Sequence, residues 1–159
     1  MKIKNIVMIL FLFILSIFIL EKAYISQIVE NKNFQVNHKE IKIKINQFDL
    51  NVLLAETYTE QARGLMFKND IYFKEKNIHG MLFIYEKKQN VKFWMKNTYV
   101  NLDLLLLDEN KKIIEIIKME KNSLKIISSI AEAKYALELI ENKNLIFKVG
   151  DQVKFNLEN

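Results

Sequence analysis

From Ile6 to Leu20 the chain runs for 15 residues with Ser16 as its only polar side chain. A helix made from that run has no polar face to turn towards water, so it cannot serve as an amphipathic surface helix. At about 1.5 Å per residue it spans roughly 22 Å, short of the ~30 Å hydrocarbon core of a bilayer. Lys2 and Lys4 precede it, and a basic stretch before an apolar run of this length is the pattern of a secretory signal. The small-x-small cleavage site is missing, because Glu21-Lys22-Ala23-Tyr24 offers only Ala23, with Ser26 further on. Residues 1–24 are therefore expected to be a removed signal or an uncleaved membrane anchor, its short core extended by tilt or flanking residues. Lysines before the run and Glu21 after it predict an N-terminus in the cytoplasm and an extracytoplasmic body, periplasmic, secreted or anchored to the cytoplasmic membrane. Residues 25–38 read as a polar tether, with Asn31, Asn33 and Asn37 and little periodicity. Residues 39–159 are long enough for a single domain.

Several function classes fall away on composition. No cysteine means no disulfide, thiolate ligand, cysteine nucleophile or lipid-bearing cysteine, and two histidines leave little for a metal centre. The expectation is no cofactor and no metal. The net charge of +5 says less than it promises, since 23 of the 24 basic residues are lysines. Phe34–Asn159 holds 20 basic against 17 acidic residues, a net +3, and the signs alternate along the chain. A nucleic-acid partner is not expected, because such a binder concentrates its cations on one face.

Beyond the tether the hydrophobic pattern has period two. Ile41, Ile43 and Ile45 alternate with lysines, and Phe48, Leu50, Val52 and Leu54 follow after Asn46-Gln47, predicting a hairpin. Thr57 stands three residues before Glu60, the spacing of a capping box that opens a short helix, and Gly64 falls where that helix would end. Met81–Tyr85, Val91–Met95 and Lys112–Met119 read as strands. Leu102–Leu107 is nearly continuous apolar, as in a strand buried on both faces. Ala133–Leu139 sets Tyr135, Leu137 and Leu139 on one face, and Val153, Phe155 and Leu157 alternate near the end. Glu141–Phe147 is expected to form one or two helical turns. The fold class is mainly β, a compact jelly-roll-like sandwich or partly closed barrel with one or two short helices, preceded by the N-terminal apolar helix.

Scarce residues mark the segments of interest. Arg63 is the only arginine, Trp94 the only tryptophan, and Gly64, Gly80 and Gly150 the only glycines. They fall in Ala62-Arg63-Gly64-Leu65-Met66-Phe67, Gly80-Met81-Leu82-Phe83 and Phe93-Trp94-Met95-Lys96-Asn97-Thr98. Leu102-Asp103, Tyr135-Ala136-Leu137-Glu138-Leu139 and Lys148-Val149-Gly150-Asp151 follow in order. Together these strings resemble the domain-of-unknown-function 192 family, also catalogued as uncharacterised protein family 0127, over roughly Leu50–Val153. The resemblance implies a small extracytoplasmic or membrane-associated domain, β-rich and jelly-roll-like, with no assigned activity. Asn101 replaces the proline that often precedes the leucine-aspartate pair. Ile140-Glu141-Asn142-Lys143-Asn144 replaces a small-residue segment.

Seven residues form the candidate binding face: Arg63, Trp94, Lys96, Asn97, Thr98, Asp103 and Glu138. In an alternating strand Trp94 shares a side with Lys92 and Lys96, away from Val91, Phe93 and Met95. It is either an exposed platform for a sugar ring or lipid headgroup, or a ring packed under a covering loop. Asn97 and Thr98 can orient a polar ligand or satisfy the backbone of their own turn. Arg63 can fork onto an anion, or pair with Asp103 or Glu138 to brace helix against sheet. Arg63, Trp94, Asn97, Asp103 and Glu138 are expected to converge on one face. His79 reads as a turn residue and His38 as a solvated one. Three functions stay open: a non-catalytic envelope module that binds a glycan, lipid or protein, a hydrolase or transferase using Asp103 or Glu138, and a scaffold without a ligand. The apolar segment adds the membrane as a partner if it is uncleaved.

Overall fold

The structure, a computed structural model, describes residues 3–31 and 34–157; Lys2 of the basic stretch and Asn33 of the expected tether lie outside the described residues. The chain divides into two compact units, residues 1–36 and 37–159. The first is built on one helix, α1 (Ile3–Glu30). Its stretch Ile6–Glu30 is long and apolar enough to cross a membrane, at about 37 Å for helical rise. The helix thus continues past Tyr24 into the segment expected to be a tether. No glycine or proline stops it there, and Ile25, Ile28 and Val29 keep it apolar.

The second unit is a curled sheet. Its strands are β1 (Glu40–Ile45), β2 (Phe48–Ala55), β3 (Gly80–Gln89), β5 (Leu102–Leu107), β6 (Ile113–Met119), β8 (Ala133–Ile140) and β9 (Val153–Lys154). They lie in the order β6-β5-β8-β3-β2-β1-β9. The β1–β2 hairpin turns on Asn46 and Gln47, with Ile45 opposite Phe48. Asn46 takes φ 54°, the left-handed conformation that asparagine tolerates best after glycine, which is why the turn closes without Asn-Gly. Among the described strands only β2 and β3 pair in parallel, and the crossover between them carries α2 (Tyr58–Arg63) and α3 (Asp70–Lys76). The curl brings the outermost strands together. Lys112 bridges Gln152, and Ile113 N–H donates to Asp151 O at 2.9 Å while Val153 N–H donates to Lys111 O at 3.0 Å. Of the two expected architectures, the partly closed barrel is the one formed.

Both faces of the sheet are buried. The inner core takes Ile43, Ile45, Val52, Leu82, Leu105, Leu137 and Val153 from all parts of the curl. The outer core takes Leu53, Met81, Phe83, Leu104 and Ala136 under Leu65, Phe73, Phe93 and Met95. Apart from Asp103, Leu102–Leu107 is apolar because its leucines alternate between these two cores.

Two expectations need correcting. Glu141–Phe147 is not helical. Asn142 captures the following donors, its Oδ1 accepting from Asn144 N–H at 2.9 Å and its carbonyl from Leu145 N–H at 3.0 Å. Leu145 and Phe147 then pack on the inner core while Ile146 stays exposed, a period of two rather than 3.6. Val91–Met95 keeps its alternation but leaves the main sheet. Its β4 (Lys92–Phe93) pairs with β7 (Ile127–Ser128) in a separate two-stranded ribbon.

Candidate functional site

The site grows from the capping box. Glu60 Oε2 accepts from the N–H groups of Thr57 at 2.8 Å and Glu56 at 2.9 Å, while Thr57 Oγ1 accepts from Glu60 N–H at 3.3 Å. This starts α2, and Gly64, at φ 48°, ends it with its N–H on Glu60 O. Arg63 therefore sits in the last helical turn, buried, with its guanidinium 4.4 Å from the centre of the Phe67 ring. Phe67 N–H donates to Asn97 O at 2.8 Å, and its ring meets Tyr99 edge-on at 6.3 Å. The arginine-glycine and tryptophan-methionine strings are thus two sides of one seam between the α2 exit and the 93–99 loop. Burial pulls Arg63 below its ordinary value, and burial with the Arg63 charge does the same to Lys68.

Asn97 holds φ 58° and gives its carbonyl to that seam. Thr98 is buried, its N–H on Met95 O at 3.1 Å and its carbonyl accepting from Asn122 N–H at 2.9 Å. These are backbone bonds, which shape the turn without assigning the Asn97 and Thr98 side chains to it or to a ligand. Trp94 is different. It is 40% exposed, outside both cores, and the Lys96 ammonium stands 5.2 Å from its ring centre. The covered-ring alternative does not describe it.

The two carboxylates separate. Across β5 and β8, Asp103 lies opposite Leu139, and Glu138 lies opposite Leu104. Directly opposed residues share a face. Leu139 belongs to the inner core and Leu104 to the outer, so Asp103 and Glu138 project from opposite sides of the sheet. Convergence of all five residues on one face fails at Asp103. Pairing of Asp103 with Arg63 fails too, because Asp103 takes Lys118 Nζ at 2.6 Å. That ion pair borders a groove of about 280 Å³ beneath residues 141–147, and Lys118 also reaches Glu141 at 3.7 Å. Glu138 is buried against Met81 and Leu104, and burial alone pushes its carboxyl up to about 8.

His38 is half-buried rather than solvated. Its Nδ1 lies 3.1 Å from Leu54 O, and burial lowers its pKa more strongly than that bond raises it. His79 ties its turn to β2, with Nδ1 3.2 Å from Asn51 N. Among the described residues, no three histidine or carboxylate side chains group closely enough to hold a metal ion. Sequence reasoning missed Phe67, which joins the two motif strings, and Lys118, which claims Asp103. Periodicity carries no sign of either. It also gave Gly80 no role, though an isolated glycine opening a strand signals close backbone approach. A Cβ there would lie 1.9 Å from Glu138 O.

A curled half-barrel, a seam binding the helix exit to a tryptophan loop, and Asp103 and Glu138 on opposite faces define this small β-rich domain. The chain belongs to the DUF192 family, described as uncharacterised, whose pattern matches residues 39–155. Among solved structures it is similar to a protein of Sinorhizobium meliloti 1021 described as a candidate transcription regulator, with 28% identity and a TM-score of 0.68 over 76% of this chain and 97% of that one. It shares its fold with a protein of unknown function from Novosphingobium aromaticivorans DSM 12444, with 22% identity and a TM-score of 0.61 over 74% of this chain and 84% of the other. No curated protein matches.

Proposed function

We propose that this chain is a membrane-tethered, non-catalytic module of the cell envelope, held outside the cytoplasmic membrane by α1 and binding through the Trp94 face. The exposure of Trp94 carries this reading. A chain with one tryptophan places it outside both cores, beside a lysine, in the loop that follows β4. Arg63, Thr98, Asp103 and Glu138 are all buried, and Asp103 lies on the opposite side of the sheet from Glu138, so none of them is offered as a surface group of this face. The hydrolase alternative loses support with the carboxylates on opposite faces, since acid–base pairs work across roughly 5–10 Å of one cleft. A nucleic-acid role, raised by the description of the Sinorhizobium protein, finds little here. The single guanidinium is buried, and the lysines are interleaved with carboxylates.

In cells making the full chain, alkaline carbonate should leave it in the membrane pellet, and protease added to spheroplasts should digest residues 37–159. Release by carbonate, or protection from protease, overturns the tethered reading. Trp94→Ala should change stability by no more than about 0.5 kcal/mol in chemical denaturation. A much larger loss would make Trp94 a packing residue and remove the binding face.

A further inference from the structure

We propose that the groove between β5, β6 and residues 141–147 binds a free α-amino acid with an apolar side chain. None of its lining residues belongs to the Trp94 loop. Its floor follows from strand register. Asp103 and Leu105 share a face of β5 and lie opposite Lys118 and Ile116 of β6. Leu145 and Phe147 roof it from the segment that packs on the inner core. That roof is fastened at both ends. Glu141 N–H donates to Asn101 O at 3.0 Å, and Glu141 Oε2 accepts from Asn101 Nδ2 at 3.2 Å. At the far end Lys148 N–H donates to Asp151 Oδ2 at 3.0 Å, and the Phe147 ring meets Phe48 edge-on at 6.1 Å. The groove is therefore formed in advance, and its volume of about 280 Å³ suits a small molecule.

Asp103 is the group that calls for a ligand. It is 9% exposed in a strand otherwise made of leucine, and a buried carboxylate is costly unless its oxygens are engaged. Lys118 Nζ stands 2.6 Å from Oδ1 as an ion pair, yet Oδ1 is buried without a well-directed hydrogen bond. A carboxylate has about four acceptor sites. The part of this side chain left open, 13%, lines the groove. Four charged side chains border the groove, Asp103, Lys118, Glu141 and Lys143, two of each sign. A simple cation meets two ammonium groups there, and a simple anion meets two carboxylates. A zwitterion sets each end beside its opposite, its ammonium on Asp103 and its carboxylate on the exposed Lys118 ammonium. Ile116, Leu145 and the exposed Ile146 then offer its side chain an apolar wall. The size of the groove favours a single amino acid over a peptide chain.

Equilibrium dialysis of the full chain in detergent micelles, with radiolabelled L-leucine and L-phenylalanine, measures this directly. At least one label should be retained. Isoamylamine and 4-methylpentanoate, each the leucine side chain with a single charge, should compete at least about tenfold more weakly than unlabelled L-leucine. Asp103→Asn keeps the side chain's size and should weaken binding about tenfold or more. That change also breaks the Lys118 pair, so a Lys143→Gln, Ile146→Ser variant at the exposed rim is measured beside it. Its melting curve should match the parent, and its affinity should fall several-fold. Retention of neither label overturns the inference, as does a single-charge analogue that competes as well as leucine. Unchanged affinity in the rim variant, or in a folded Asp103→Asn, also removes the amino acid from this groove.

Discussion

Gly80 shows how one missing side chain fixes the packing of two strands. The backbones of β3 and β8 approach so closely there that a methyl group would overlap Glu138 O. Gly80→Ala must force the strands apart at the centre of the sheet, and should cost about 3 kcal/mol or more in urea denaturation. Glu138 makes a second prediction with a definite sign. Its carboxyl titrates near 8 in the folded protein because burial disfavours the charge, against 4.5 ordinarily. Between those values the unfolded chain has lost a proton that the folded chain keeps, so stability should fall as pH rises through that window. Glu138→Gln should flatten that slope and leave the protein more stable than the parent at pH 8, measured by denaturant midpoints at pH 5, 6, 7 and 8.

The elements were legible in proportion to how local their causes are. The β1–β2 hairpin, the Thr57–Glu60 box and the double-faced β5 each announce themselves within a few residues, and each is present. Thr57→Ala should remove about 1 kcal/mol by unseating α2, and circular dichroism with thermal melts would register it. α3 escaped detection because seven residues make two turns, too few for a helical period. Its signals are the cap asparagines alone, Asn69 accepting from Tyr72 N–H and Asn77 in the left-handed conformation. Residues 141–147 misled for the opposite reason: the composition suits a helix, but Asn142 and the inner core draw the chain straight. The candidate face was half legible. Scarcity located Arg63 and Trp94, and alternation put Trp94 on the side of Lys92 and Lys96 without deciding whether a loop covers it. Which carboxylate faces which side depends on strand register, and that is set by pairing partners far away in sequence.

At the scale of the molecule, the seam between β6 and β9 decides whether the inner core is closed. It rests on a single bridge and a few backbone bonds, with Val153 and Phe155 sealing the interior. Phe155→Ala should cost about 3–5 kcal/mol, read by urea denaturation. Hydrogen exchange at Ile113 and Val153 should outpace that of Leu105 and Leu137, which lie between paired neighbours. The seam also orders events in time. Lys44 pairs with Lys154, so the strand that shuts the curl is seated on a partner more than a hundred positions away. Contacts of such range are slow to form. A ribosome feeding this chain out N-terminus first delivers the apolar helix long before the strand that completes the curl. Until β9 arrives, Ile45, Leu105 and Leu137 face an open interior, and the half-made domain waits with that greasy lining uncovered.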